Sequence, residues 1–161
     1  MYRETVKIMD RFGIDSNGLP NLLIPDTTFY ADKKIGAIGA FAIDRNGKKS
    51  KYKIGRWTEY FENGYIKSFG DYRMDFVWAC RSARPALLYY SYKVGYWTYY
   101  YESGQTMATG IYELNRKKVF TGISGQFAKK STVTTQWLLY DDNWKLAVDR
   151  PKIILELDKL E

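Results

Sequence analysis

One stretch of this chain, 53–72, recurs at a fixed offset, and that repeat restricts the fold more than any other feature. The run Lys53-Ile54-Gly55-Arg56-Trp57-Thr58-Glu59-Tyr60-Phe61-Glu62-Asn63-Gly64, closing with Gly70 and Tyr72, returns as Lys93-Val94-Gly95-Tyr96-Trp97-Thr98-Tyr99-Tyr100-Tyr101-Glu102-Ser103-Gly104, closing with Gly110 and Tyr112. Nine positions are identical: Lys53/Lys93, Gly55/Gly95, Trp57/Trp97, Thr58/Thr98, Tyr60/Tyr100, Glu62/Glu102, Gly64/Gly104, Gly70/Gly110 and Tyr72/Tyr112. Such a repeat is one supersecondary unit that must stack on its neighbours to bury an apolar face. The aromatic and β-branched residues of the unit suit a pleated surface, and Asn63-Gly64 supplies the positive φ of a tight reversal. The unit is therefore read as a β-hairpin, with strands over 54–61 and 65–72. Alternation sets Trp57, Glu59 and Phe61 on one face against Arg56, Thr58 and Tyr60 on the other. Gly55 and Gly95, just before each Trp, are read as places where a strand or ring lies close to the backbone.

A degenerate third copy is expected over 135–146, because Trp137 and Tyr140 follow Trp97 and Tyr100 at the same interval that separates those two from Trp57 and Tyr60, with Thr135 and Trp144 replacing the two glycines. Terminal repeats commonly depart from the pattern because they cap the array. The pattern Gly-x-Trp-x-x-Tyr-x-x-x-Gly followed by Gly-x-Tyr resembles the MORN repeat, in particular the divergent MORN-like repeats of bacterial and phage proteins, some classed as antitoxins. The match covers 53–72 and 93–112 well and 39–52 and 135–146 weakly. The resemblance implies stacked β-hairpins in an elongated sheet that holds partners or membrane surfaces rather than performing chemistry. MORN units follow one another at little more than half the spacing seen here. Either a degenerate hairpin sits in the interval, or the chain is another β-repeat that only looks similar to MORN.

The 161 residues are read as one domain, 1–161, with a core of its own. The fold class expected is all-β: consecutive hairpins in an elongated, twisted antiparallel sheet. Apolar residues at 2, 6, 9 and 12 fit a short N-terminal helix, although 5–8 also fit an edge strand. The turn over 15–20 precedes a short apolar run, 22–24, that Pro25-Asp26 is expected to end. Residues 35–43 and 48–54 flank a second hairpin turn at Asp44-Arg45-Asn46-Gly47, and Gly39-x-Phe41 echoes Gly55-x-Trp57. Apolar runs at 74–80 and 86–92 predict a further hairpin with Arg81 and Arg84 at its tip. Similar pieces follow the second copy around Gly122 and Gly125. Near the end, Ile153, Leu155 and Leu157 alternate as in a strand, the reading preferred, while Ile153, Leu157 and Leu160 also fit a helix begun by an Asp cap and an early Pro.

One cysteine, Cys80, and no histidine remove internal disulfides, cysteine zinc sites and the usual general base. No glycine-rich phosphate loop or nucleophile elbow is present, and Asp141-Asp142 and Asp71/Asp75 are better read as turn residues. No enzyme activity and no cofactor or metal are expected. The opening residues lack a signal peptide's apolar run, and no stretch is long enough to span a bilayer, so a soluble cytoplasmic protein is expected.

With 25 Lys and Arg against 18 Asp and Glu, the formal net charge is +7, which favours an anionic partner. Basic residues crowd the middle of the chain and acidic ones its end. The residues expected to bind a partner are Trp57, Tyr60, Tyr96, Trp97, Tyr99 and Tyr100, with Arg81 and Arg84 in a recognition loop, since Tyr and Trp are enriched in interface hot spots. Lys48, Lys49, Lys51, Arg56, Arg116, Lys117 and Lys118 are the candidate anion or nucleic-acid contacts, against the plainer reading that lysines protect an exposed strand from aggregation. The first expectation is a non-catalytic inhibitor, antitoxin or immunity factor acting on a protein partner: a toxin, nuclease or defence effector. Direct RNA or single-stranded DNA binding ranks second. Attachment to anionic membranes ranks last, for want of a basic amphipathic helix.

Overall fold

The computed structural model describes residues 10–81, 84–118, 127–133 and 138–139. The N-terminal helix expected over 2–12 and the strand expected near 153–157 fall largely outside them. Those residues form an antiparallel meander in one open sheet: β1 (Leu22–Phe29), β2 (Ile35–Ile43), β3 (Lys49–Tyr60), β4 (Ile66–Arg81), β5 (Arg84–Tyr100), β6 (Thr106–Lys118) and β7 (Phe127–Val133), in sequence order, with β8 (Leu138–Leu139) also paired to β6. The all-β expectation holds, and no helix occurs among the described residues. The run 22–24 does not stop at Pro25. It continues as edge strand β1, where a residue lacking an N–H is tolerated.

Both copies make the same hairpin. Phe61 and Tyr101 donate their amides to the carbonyls of Tyr65 and Gln105, and Gly64 and Gly104 turn the chain at φ of 88° and 85°. The interval between copies forms the further hairpin expected from 74–80 and 86–92, closed by Arg81 and Arg84. Residues 73–92 lengthen β4 and β5, which stay paired from Tyr72↔Lys93 to Arg81↔Arg84. The same extension recurs one repeat interval on, where β6 and β7 pair from Tyr112↔Val133 to Lys118↔Phe127.

A shared joint links successive hairpins. In β2–β3 the register runs Ala37↔Glu59, Ile38↔Thr58, then Ala40↔Ile54 and Phe41↔Lys53; in β4–β5 it runs Ser68↔Tyr99, Phe69↔Thr98, then Asp71↔Val94 and Tyr72↔Lys93. Opposite one glycine, Gly39 or Gly70, the facing strand therefore carries the longer segment Gly-x-Trp, as a bulge. Leu138 and Leu139 pair with Thr109 and Ala108, the same register displaced by one repeat interval. Trp137 and Tyr140 lie outside the described residues. The counterpart of Gly39-x-Phe41 is thus Gly70-x-Tyr72 rather than Gly55-x-Trp57.

Gly55 and Gly95 do not admit a close neighbour, as the sequence led one to expect, since a side chain added at either meets nothing within 4 Å. Their requirement is the backbone: both sit at φ of 66°, the bulge angle that side chains disfavour. Beyond Gly55↔Tyr72 the registered pairing of β3 with β4 stops, as does that of β5 with β6 beyond Gly95↔Tyr112. Segment 10–21 bridges the first separation. Met74 donates its amide to Gly18 and Arg45 to Arg11, and Phe12 packs with Ala42, Ile54 and Met74. The Asp10 carboxylate accepts the amides of Phe12 and Ile14, fixing the bend that aims the ring inward.

Because the glycine at 55 is demanded by its φ, side-chain geometry predicts the ranking of substitutions. Gly55→Val should lower the free energy of urea unfolding by about 2 kcal/mol, and Gly55→Asn by less than half as much. Equal losses would contradict a backbone origin.

Candidate functional site

The two faces of the sheet differ, and the repeated aromatics divide between them. On the inner face Trp57 and Trp97 are each 1% exposed and Tyr99 is 3% exposed. A Cβ on Gly39 would stand 2.2 Å from the Trp57 ring, and one on Gly70 2.2 Å from the Trp97 ring, so each indole occupies the space where a side chain would be. The Trp57 Nε1–H donates to the Ala40 carbonyl at 3.1 Å and that of Trp97 to the Asp71 carbonyl at 3.3 Å. Phe41 meets Trp57 edge-on at 4.9 Å and Tyr72 meets Trp97 at 5.1 Å. Trp57, Trp97 and Tyr99, expected to touch a partner, are thus core residues: a single sheet buries a large ring by laying it on a glycine backbone.

The repeated lysine covers each indole. Lys53 Nζ lies 4.7 Å from the Trp57 ring and 2.6 Å from Glu59 Oε1. In the second copy Tyr99 stands where Glu59 stands in the first. Lys93, 3% exposed, accordingly donates to Tyr99 Oη at 3.1 Å, and Tyr99 meets Tyr112 Oη at 2.9 Å. Burial pushes the Tyr99 phenol up, helped by its tyrosine neighbours. Desolvation pushes the Glu59 carboxyl up, but the Lys53 hydrogen bond and the charges of Lys53, Lys67 and Lys93 outweigh it and hold it below its ordinary value. Such a carboxylate stays ionised against a charged amine, which suits support of the sheet better than proton transfer. A cleft of about 330 Å³ beside β1 is walled by Phe29, Tyr30, Trp57 and the same Lys53–Glu59 pair.

On the outer face, directly paired residues form a row across the sheet: Ile38, Thr58, Phe69, Thr98, Thr109 and Leu138. Thr98 and Thr109 hydroxyls meet at 3.0 Å, and Tyr100, half-buried, stacks on Phe69 at 6.3 Å. Tyr96 is 72% exposed. It occupies the position held in the first copy by Arg56, whose guanidinium makes two bonds to Asp71 at 2.9 and 3.0 Å. The partner of Tyr96 is Ile111, so an ion pair in one copy becomes an apolar pair in the next. Tyr60 is half-buried at the turn end, where its carbonyl accepts from the Tyr30 hydroxyl.

The remaining candidates are basic. Lys48 and Lys51 are exposed. Lys49 pairs with the Asp26 carboxylate and lies 4.7 Å from the Phe41 ring. Arg56 was expected to meet an outside anion; the internal carboxylate of Asp71 instead occupies its guanidinium and raises its pKa. Arg81 and Arg84 are a register pair closing β4–β5, and Arg116, Lys117 and Lys118 end β6 opposite Lys129, Ala128 and Phe127. Phe69 and the threonine row were missed as site residues, although period-two alternation from Trp57 already marked Thr58 as facing away from the indole. Among the described residues no three His, Cys, Asp or Glu side chains gather as a metal site, and no helix is long and apolar enough to cross a membrane. Comparison with protein families, curated proteins and solved structures gives no match to this chain.

Glu59 gives the inner face a definite acid response. Its folded pKa lies below the ordinary 4.5, so its stabilisation is complete above that value and fades as pH falls through the lower folded value. Urea unfolding should therefore show wild type and Glu59→Gln converging in stability as the solution is acidified. A gap that stays constant with pH would contradict the ion pair.

Proposed function

We propose that the chain is a non-catalytic binding protein of the inhibitor or antitoxin type, which grips one protein partner, a toxin or a nucleic-acid-handling defence enzyme, with the outer face of its sheet. The observation that carries this reading is Tyr96, 72% exposed on the fifth of seven successive strands rather than at an edge. Surface positions in strand interiors are usually polar when they face only water, as Arg56 and Asp71 do in the first copy. The second copy presents Tyr96 beside Ile111 instead, with Tyr100 and Phe69 on the same face.

These groups are pre-arranged by the sheet, so docking would order few flexible side chains. Tyrosine buries a large ring while offering a hydroxyl, the combination favoured at the centre of interfaces. The resemblance of 53–72 and 93–112 to MORN-like repeats, some of antitoxin class, points the same way.

The test is affinity purification from the organism that makes the protein, with wild type, Tyr96→Ala and Tyr100→Ala as baits of verified fold. A stoichiometric protein held by wild type should be weakened by about 2 kcal/mol, roughly thirtyfold, by Tyr96→Ala. Retention at full strength by Tyr96→Ala, or the absence of any stoichiometric protein, would overturn the proposal.

A further inference from the structure

The hairpins β1–β2, β3–β4 and β5–β6 carry the same bulge just after their turns, and what fills it differs. The register slips between Thr28↔Ala37 and Phe29↔Ile35, between Glu59↔Ser68 and Tyr60↔Ile66, and between Tyr99↔Ala108 and Tyr100↔Thr106. The extra residue is Gly36 in the first, Lys67 in the second and Met107 in the third. Beside these bulges one row of paired residues crosses the inner face: Thr28, Ala37, Glu59, Ser68, Tyr99 and Ala108. Next to Trp97, the row and the bulge of the preceding hairpin supply Tyr99 and Lys67. Tyr99 is 3% exposed, its ring 5.9 Å from that of Trp97. Next to Trp57 the same two positions hold Glu59 and Gly36, the one without a ring and the other without a side chain.

The cleft of about 330 Å³ beside β1 lies at these smaller residues, a volume within the range of small-molecule sites. A Cβ on Gly36 would stand 3.5 Å from Thr28 Oγ1 and 3.6 Å from the Tyr30 ring, in ordinary contact, so the floor is open. The walls are mostly aromatic: Phe29 is 62% exposed, and Tyr30 is anchored by donating its hydroxyl to the Tyr60 carbonyl. Two amines face one carboxylate there. Lys53 is occupied by Glu59 at 2.6 Å, whereas Lys67 makes no hydrogen bond or ion pair with a described residue, its Nζ lying 6.0 Å from the Phe61 ring. One positive charge is left over in an aromatic cleft. An adjoining cleft of about 450 Å³ shares Tyr30 and Lys67 but is lined by Glu62 and Glu102, whose charges disfavour an anion beyond Lys67.

We propose that the cleft beside β1 is a binding site for a small organic acid with a flat aromatic body, its ring against Phe29, Tyr30 and Phe41 and its acid group on Lys67. A neutral ring would leave the Lys67 charge unanswered. A simple inorganic anion would leave the aromatic walls to water, and a cation would meet Lys53 and Lys67. The site lies on the inner face and Tyr96 on the outer, so it does not rest on the protein-partner reading.

The test is an NMR titration of the full chain with naphthoate and, as its neutral counterpart, naphthamide. Wild type should bind naphthoate with a Kd on the order of 100 μM, shifting the amides of Gly36, Ala37 and Lys67 but not that of Tyr96. Naphthamide should bind about tenfold more weakly. Lys67→Met places in this bulge the residue that the next hairpin carries in its own, so the fold should persist. It should weaken naphthoate about tenfold and leave naphthamide unchanged. Glu59→Tyr copies the second repeat into the first and should fill the cleft, abolishing the binding of both compounds. Circular dichroism confirms the fold of each variant. The proposal is overturned by the absence of a saturable shift at Gly36 and Ala37, or by equal affinity of wild type for the two compounds. Undiminished naphthoate binding by folded Lys67→Met or folded Glu59→Tyr would overturn it as well.

Discussion

An indole lying on a bare glycine of the preceding strand is the contact on which the rest of this sheet depends. One open sheet has no second layer to cover a tryptophan, so the ring must be buried against its own backbone. That requires a strand position without a side chain, a bulge that brings Trp57 or Trp97 over it, and a positive-φ glycine to form the bulge. Gly39 and Gly70 meet the first need and Gly55 and Gly95 the last. The ring's nitrogen is then satisfied by the carbonyl next to the seat, at Ala40 or Asp71. Burying each ring contributes a few kcal/mol, and an unpaired indole N–H would have offset much of it.

From that joint the other features follow. The bulge marks where registered pairing between hairpins ends, and segment 10–21 enters beside the first such point to close a small core around Phe12. Lys53 and Lys93 reach over the indoles and need a partner inside the sheet, which the first copy supplies as Glu59 and the second as Tyr99. With the largest rings committed inward, the outer face is left with threonines, Phe69, Tyr100 and Tyr96. Binding, on this account, uses what the joints leave over.

The hairpins themselves were legible because their turn glycines and alternating aromatics act locally. What a Trp touches is set by register across strands, which no local pattern encodes. Trp57, Trp97 and Tyr99 therefore looked like surface rings while alternation alone had already separated them from Thr58 and Thr98. Gly55 misled for a related reason: a glycine before a ring reads equally as a steric gap or as a backbone angle, and only its φ and its open surroundings distinguish the two. Gly39-x-Phe41 echoes Gly55-x-Trp57 in sequence, yet its true counterpart, Gly70-x-Tyr72, lies off the repeat offset and is identified only by the strand it faces. The hairpin of 74–80 and 86–92 was legible from its two apolar runs, but not that its strands continue those of the repeat as the long β4 and β5. Arg56 looked free until Asp71 was found beside it across the strands.

The most direct test of the joint is proton NMR of the glycines. An α proton held beneath an indole is shifted strongly upfield by the ring current, whatever the stability of the fold. The account predicts that Gly39 and Gly70 each show one α proton far upfield of those of Gly47 and Gly64, beside which a side chain would meet nothing within 4 Å. Gly39 and Gly70 α protons resonating with those two turn glycines would contradict it.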